Sequence, residues 1–155
     1  MSVLAAIRPD DWNFPLFLHV FGAMLLVGTL FAVALATVLA WKRPDDATGL
    51  TRFALRTLLI GVVPAWFVMR IGAQWTASRE HIPDDADDAW LGIGYSTAEG
   101  GGLLILVSII LGVVGLRKLR SGSGGPGFGR AVGVISILLL VAYVIAIWAM
   151  TTKPT

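Results

Sequence analysis

The sequence contains no cysteine and few charged residues, since Asp, Glu, Lys and Arg make up only 14% of its 155 residues. The absence of cysteine excludes disulfides, thiolate metal ligands and a cysteine nucleophile. Soluble domains average about a quarter charged residues, so the composition also excludes an ordinary water-soluble domain. The net charge of +2 is too small to indicate a nucleic-acid surface, and we expect no nucleic-acid partner.

Apolar residues, by contrast, are abundant: 56% of the chain is hydrophobic and the mean hydropathy is +0.79. Four apolar stretches each reach the roughly 20 residues that a helix needs to cross a bilayer. Backbone polar groups in lipid must bond within a helix or a closed barrel, and the short alternating segments of a barrel are absent. We therefore predict an all-α fold, a transmembrane up-and-down four-helix bundle, as a single integral membrane domain over residues 1–155. The predicted spans are 13–41, 54–78, 89–117 and 129–152.

Lys and Arg are concentrated on one side of these spans. The predicted loops 42–53 and 118–128, with the adjoining helix ends, carry eight of them: Lys42, Arg43, Arg52, Arg56, Arg117, Lys118, Arg120 and Arg130. The opposite side has the acidic loop 79–88 and only three basic residues. Cytoplasmic loops are enriched in Lys and Arg. We therefore predict that both basic loops are cytoplasmic, that both termini lie on the outer side, and that the protein resides in the bacterial inner (plasma) membrane.

A few polar side chains interrupt the spans, and they are candidate functional residues because burying them in lipid costs free energy. With a rise of about 1.5 Å per residue, they project into the outer half of a hydrocarbon core about 30 Å thick. Two pairs lie one helical turn apart, Arg70 with Gln74 and Tyr95 with Glu99. The sequence predicts a polar patch in the outer leaflet, a candidate ligand-binding site, formed by His19, Arg70, Gln74, Tyr95, Glu99 and Tyr143.

Within this patch, Arg70 and Glu99 are predicted to form an ion pair. An arginine in the middle of a span costs about 2.5–3.5 kcal/mol on insertion scales, so a partner is expected. Glu99 is the only acidic residue inside a predicted span, and the two heights differ by about 6 Å, within reach of an extended guanidinium. In the alternative, Arg70 extends to the outer headgroups and Glu99 contacts water. If the ion pair forms, it can either stabilise the bundle or be part of a ligand site.

Small residues and proline predict where the helices approach or bend. Gly22 lies one turn from His19 and allows a neighbouring helix to come close. Three consecutive glycines, Gly100 to Gly102, predict a packing seam or a place where a ligand approaches the backbone. Pro64 lacks a backbone N–H and predicts a distortion of the second span. Small residues at every fourth position over 28–40 predict a face for packing inside the chain or in a dimer.

Motifs for catalysis and metal binding are missing. No serine lies in a nucleophile elbow, and no glycine loop carries a Walker lysine. The acidic residues in 84–88 lack the spacing of a calcium loop. We predict no catalytic residue, no metal site and no cofactor. An alternative interpretation is that the protein binds haem b, for which histidine is the usual axial ligand. His19 is then the candidate ligand, since His81 lies in the acidic loop.

Four segments together resemble a group of small, uncharacterised bacterial four-span membrane proteins: 18–24 (LHVFGAM), 69–75 (MRIGAQW), 90–95 (WLGIGY) and 148–154 (WAMTTKP). The likeness covers nearly the whole chain and implies an integral membrane bundle, but it brings no activity with it. The His-x-x-Gly pattern of the first segment is also similar to the first spans of copper-resistance-type membrane proteins and haem-b bundles. This chain departs from both by having no second histidine inside a span.

These features predict a non-enzymatic protein, a small binding or accessory subunit of a membrane assembly. Its expected partners are the lipid bilayer and either further copies of itself or a larger membrane complex. Two alternatives remain open. The first is a redox-associated protein that binds haem or quinone near His19, Arg70 and Glu99. The second is a small oligomeric transporter of an ion or solute that uses the same patch.

Overall fold

A computed structural model describes residues 13–80, 89–122 and 127–152, and helices account for nearly all of them. The helices are α1 (Asn13–Lys42), α2 (Ala47–Thr57), α3 (Val63–Glu80), α4 (Ala89–Arg120) and α5 (Gly127–Thr152). A short 3-10 turn, Pro44–Asp46, precedes α2, and a π-helical segment, Leu58–Val62, joins α2 to α3 without a break. The described part of the chain therefore consists of four long helices and has no strand, which confirms the predicted all-α class.

Each long helix has the length and apolarity needed to cross a membrane. The four candidate spans are Asn13–Lys42, Pro44–Arg79, Ala89–Arg120 and Gly127–Thr152. Large apolar side chains cover their outer faces; Ile60, for example, is 76% exposed. Such a surface is well solvated by lipid tails and poorly by water.

Consecutive long helices run in opposite directions and pack as two hairpins. In the first hairpin, α1 packs along α2 and α3, and His19 near the start of α1 contacts Met69 near the end of the second long helix. In the second hairpin, α4 packs along α5, and Gly101 of α4 faces Tyr143 of α5. The hairpins meet through α1 with α5 and through α2 with α4. This alternation of direction is the one that an up-and-down bundle requires.

The predicted loop 42–53 is largely helical in the structure. Only Arg43 lies outside a helix there, because Pro44–Asp46 forms a 3-10 turn and α2 begins at Ala47. Proline is well suited to the first position of a helix, where its missing N–H is not needed. The residues that follow are polar, so a search for apolar runs places the start of this helix too late.

The other predicted boundaries differ less. Helix α4 continues to Arg120 and α5 begins at Gly127, so the predicted loop 118–128 is shorter than expected. Helix α3 continues to Glu80. The rest of the predicted acidic loop, including His81, lies outside the described residues.

The predicted distortion at Pro64 takes the form of the π-helical segment directly before it. Proline has no N–H, and its ring crowds the carbonyl four residues earlier. In the π-helical segment the N–H of Val63 donates to the carbonyl of Leu58, five residues back, so the turn is widened just before the proline. Gly61 lies in this turn and faces Thr29 of α1.

The two ends of the bundle differ in charge. The end of α1 and the start of α5 lie at what we call the basic end, which carries Lys42, Arg43, Arg52, Arg56, Arg117, Lys118, Arg120 and Arg130. The start of α1, the end of α3, the start of α4 and the end of α5 form the opposite end, which we call the cavity end. Fully buried aliphatic side chains, such as Leu30, Leu58 and Val62, fill the bundle between the two ends.

Small residues join the hairpins at the basic end. A Cβ on Gly133 of α5 would collide with the side chains of Trp41 and Thr37 of α1. Ala36 and Ala40 of the predicted small-residue face are buried here as well, whereas Gly28 on the same face is exposed. This half of the predicted face therefore packs inside the chain.

Candidate functional site

The two hairpins separate at the cavity end and enclose a cavity of about 440 Å³. Helices α1, α3, α4 and α5 all contribute to its wall. The backbones of α3 and α4 approach each other at few points, although the two helices are neighbours around the bundle. Pockets for small molecules in proteins commonly measure about 300–1,000 Å³, so this cavity has the size of a ligand site.

The wall of the cavity is mainly apolar and includes three methionines, Met24, Met69 and Met150. A Cβ on Gly94 of α4 would collide with the terminal methyl group of Met150, so the glycine leaves room for that side chain. Methionine is unbranched and polarizable and adapts to irregular apolar shapes. The wall is therefore suited to an apolar ligand and does not impose one rigid outline on it.

The six residues of the predicted polar patch all lie at the cavity end, but they divide into two groups. Four of them line the cavity: His19, Arg70, Tyr95 and Tyr143. The other two, Gln74 and Glu99, contact the guanidinium of Arg70 instead.

Arg70 links the two hairpins. Its Nη2 donates to Oε1 of Glu99 at 3.2 Å, which confirms the predicted ion pair. Its guanidinium carbon lies 5.2 Å from the centre of the Tyr95 ring, in cation–π contact. The side-chain amide of Gln74 is oriented with its oxygen toward Arg70. That oxygen accepts hydrogen bonds from Nη1 and Nη2 of Arg70 at 3.2 Å each. The positive charge of Arg70 is therefore compensated by neighbours on both hairpins.

Trp66 makes a second link between the hairpins. Its indole N–H donates to the backbone carbonyl of Ala98 at 2.9 Å, and its ring lies where a Cβ on Gly102 would be. Trp66 is not one of the six residues of the predicted polar patch. The signal was nevertheless present, because Trp66 lies one helical turn before Arg70 and on the same face of the helix.

His19 is positioned by a close crossing of α1 and α3. A Cβ on Gly22 would collide with the backbone of Met69, and a Cβ on Gly72 would collide with the backbone of His19. The two backbones therefore touch where only glycine fits, which confirms the close approach predicted at Gly22. This crossing places Nδ1 of His19 at 3.1 Å from the carbonyl oxygen of Met69. A carbonyl only accepts, so Nδ1 donates to it, and Nε2 is the acceptor nitrogen when the ring is uncharged.

Tyr143 is buried, with only 4% of its surface exposed, and its hydroxyl has no hydrogen-bond partner among the described residues. The hydroxyl lies against Gly101 of α4. The neighbouring Trp66 already donates its N–H to a backbone carbonyl. Buried hydroxyl groups are rarely left without a partner because the loss costs free energy. Tyr143 contributes to the cavity wall, but its hydroxyl is enclosed against α4 and is not exposed to the cavity.

The three consecutive glycines of α4 are explained by these aromatic side chains. Gly101 makes room for Tyr143 of α5, and Gly102 makes room for Trp66 of α3. Gly100 has open space where a Cβ would be. The predicted packing seam is thus confirmed at two of the three positions, and it is filled by rings.

The two edges of the cavity differ in character. Between α1 and α5 the lining residues Val20, Met24 and Ile147 are 47%, 69% and 42% exposed, so they form an apolar rim around an opening. Between α3 and α4 the polar side chains of Arg70 and Trp66 bridge the gap. The cavity is therefore open toward the apolar surface of the bundle and spanned by polar bonds on the opposite edge.

No cluster of three or more His, Cys, Asp or Glu side chains suited to a metal ion occurs in residues 13–80, 89–122 and 127–152. No protein-family model, no curated protein and no solved structure matches the chain. The cavity and the side chains around it are therefore the basis on which a function is assigned.

Proposed function

We propose that the protein is a multi-pass protein of the bacterial inner membrane that binds a small amphiphilic molecule in the cavity, as a non-enzymatic binding or accessory subunit. One observation carries this proposal: a cavity of about 440 Å³ with an apolar wall and a few convergent polar groups. That combination is typical of small-molecule sites, in which the apolar wall gives affinity and the polar groups orient the ligand.

The distribution of basic residues supports an orientation for this protein. The basic end collects eight Lys and Arg residues, whereas the described residues of the cavity end include only Arg70 and Arg79. By the positive-inside rule the basic end faces the cytoplasm. The cavity then lies in the outer half of the membrane, and both termini are on the outer side.

The experiment is to purify the full chain in a mild detergent and to identify co-purified small molecules by mass spectrometry. Ala146 lines the cavity and is buried, so Ala146→Phe fills it. The matched control, Ile110→Phe, changes a side chain of α4 that is 55% exposed and does not line the cavity. We expect the co-purified molecule to be lost from the first variant and retained in the second.

If both variants retain the molecule in equal amounts, the cavity is not its binding site and the proposal fails. Should Ala146→Phe fail to fold, Ala23→Phe fills the same cavity from α1. The two substitutions alter different hairpins, so a shared loss of ligand cannot arise from one local packing defect.

A second candidate function, a haem-b-binding redox protein, is favoured by the geometry of His19. Its Nδ1 bonds to the carbonyl of Met69, which leaves Nε2 available in the way that ligating histidines commonly are. Met24 or Met150 would have to supply a second ligand. Visible absorption of the purified protein distinguishes the two functions. A Soret band that is lost in His19→Ala and kept in Arg70→Gln supports haem binding, whereas colourless protein that carries a lipid overturns it.

The third candidate, a transporter, gains less support from the described residues. Leu30, Leu58 and Leu139 are essentially unexposed and fill the bundle between the cavity and the basic end. A solute that crossed the bundle would have to displace this packed core.

A further inference from the structure

We propose that the molecule bound in the cavity has an electrically neutral, hydroxyl-bearing headgroup on a long apolar chain, as long-chain alcohols do. It reaches the cavity from within the membrane, across the apolar rim of Val20, Met24 and Ile147. This inference rests on the proposed function, because it requires the cavity to be a binding site.

The charges at the cavity favour a neutral headgroup. Arg70 is the only Lys, Arg, Asp or Glu among the described residues that line the cavity. Its charge is already balanced by Glu99 at 3.2 Å, and the amide oxygen of Gln74 accepts further hydrogen bonds from the guanidinium. An anionic headgroup would bring a second negative charge close to Glu99, and a cationic one would face Arg70. In an apolar wall these repulsions are weakly screened, so both kinds of ion are disfavoured.

The hydrogen-bonding group of His19 suits a hydroxyl. Nδ1 of His19 donates to the Met69 carbonyl, so Nε2 is the acceptor nitrogen of the uncharged ring. A hydroxyl of the ligand can donate to Nε2, and this bond requires no charge on the ligand. The Tyr143 hydroxyl lies beside the cavity but is enclosed against Gly101, so it bonds only to a ligand that displaces this packing.

The route into the cavity favours the same class of molecule. The rim between α1 and α5 is apolar, and a charged headgroup that crossed it would lose its hydration without compensation. The opposite edge carries polar groups, but the bond of Arg70 to Glu99 and the bond of Trp66 to Ala98 span it. A neutral headgroup crosses the apolar rim at the smallest desolvation cost.

The test uses the full chain in phosphatidylcholine nanodiscs and three photoreactive probes that share one saturated chain with a diazirine. The headgroups are a hydroxyl, a sulfate ester and a trimethylammonium group. Cross-linked residues are located by mass spectrometry. We expect the alcohol to label the cavity, at Met69 and Met150 for example, at least about tenfold more than either charged probe.

A charge substitution sharpens the test. Glu99→Gln leaves the charge of Arg70 without its ionic partner, so we expect labelling of the cavity by the sulfate probe to rise about tenfold. Asp45→Asn is the matched control, a carboxylate-to-amide change at an exposed position of the basic end, and it should leave the labelling unchanged.

The outcomes separate the two proposals. If the sulfate or trimethylammonium probe labels the cavity as strongly as the alcohol, the neutral headgroup is wrong and cavity binding stands. If no probe labels the cavity more than the exposed surface around Ile110, the proposed binding function fails together with this inference. Should Glu99→Gln fail to fold, the three probes on the unaltered chain still decide between these results.

Discussion

The two ends of this bundle use glycine in different ways. At the basic end, two glycines of the second hairpin face side chains of the first: Gly133 faces Trp41, and Gly112 faces Leu55, whereas Gly115 faces Phe128 of its own hairpin. At the cavity end, most glycines face their own hairpin. Gly72 lies against the backbone of His19 within the first hairpin, and the second hairpin has similar contacts of its own.

This difference explains why the two hairpins separate at the cavity end. Glycine allows close approach in the direction in which it faces. At the basic end Gly133 and Gly112 face the other hairpin, so the hairpins are in contact there. At the cavity end each hairpin is tight in itself, and the two are linked across α3 and α4 by the long side chains of Arg70 and Trp66. The side chains of Arg70 and Trp66 are long enough to reach α4 although the backbones of α3 and α4 stay apart.

The largest effect is expected from breaking the tight crossing of the first hairpin. Gly72→Leu would place a side chain against the backbone of His19, which cannot move aside as a flexible side chain can. We expect a loss of about 3 kcal/mol or more in the free energy of unfolding, measured by chemical denaturation in detergent. Gly92→Ala on α4 is the control, because nothing lies within 4 Å of its Cβ position. Equal stability of Gly72→Leu and the control would show that the crossing does not hold the hairpin together.

A pair of matched substitutions compares the two ends directly. Gly133→Ala at the basic end meets the Trp41 ring and the Thr37 side chain, and we expect it to cost about 1–3 kcal/mol. Gly94→Ala at the cavity end meets only the end of the flexible Met150 side chain, so we expect a cost below about 1 kcal/mol. Both values come from the same denaturation experiment. The reverse order would contradict the tight contact of Gly133 with α1 at the basic end.

A smaller effect is expected from the polar bridge at the cavity end. Glu99→Gln keeps an acceptor for Arg70 and removes the charge of the pair. Glu99 is 69% exposed on its side chain, so we expect a loss of about 1 kcal/mol in the free energy of unfolding. Arg70→Gln should cost a similar amount, and the double substitution should cost less than the sum of the two. Strict additivity would show that the two side chains do not interact.

An effect of similar size to that of the polar bridge is expected at His19. His19→Phe keeps a planar ring and removes the donor to the Met69 carbonyl, which should cost about 0.5–1.5 kcal/mol. His19→Asn offers a side-chain N–H in its place and should recover part of that loss. The measurement is the thermal unfolding midpoint in the same detergent. Equal midpoints for the phenylalanine variant and the unaltered protein would mean that this hydrogen bond adds no stability.

The fold was largely predictable because it depends on local properties of the chain. The apolar runs located four helices, and the structure contains four long helices in the described residues. The loop 42–53 was misjudged because its polar residues give no apolar signal, although Pro44 and the residues after it are helical. Helix formation in that stretch does not depend on hydrophobicity.

The candidate site was predictable in part. The pairing of Arg70 with Glu99 followed from their similar heights and from the cost of an unpaired charge in lipid, and the structure contains it. The acceptor of the His19 bond and the bond of Trp66 to Ala98 were not predicted. In both bonds the acceptor is a main-chain carbonyl oxygen. Every residue has one, so no residue type in the sequence identifies the partner.

The amino-acid sequence alone determined the number of long helices, the opposite character of the two ends and the heights at which polar groups interrupt the apolar runs. Only the tertiary structure decided that the hairpins part at one end, that three methionines line the space between them and that the Tyr143 hydroxyl has no partner among the described residues. The physical reason is that helix length and apolarity add up along the chain. The gap between two helices depends on how each is rotated, and on which side chains from distant parts of the sequence meet across it.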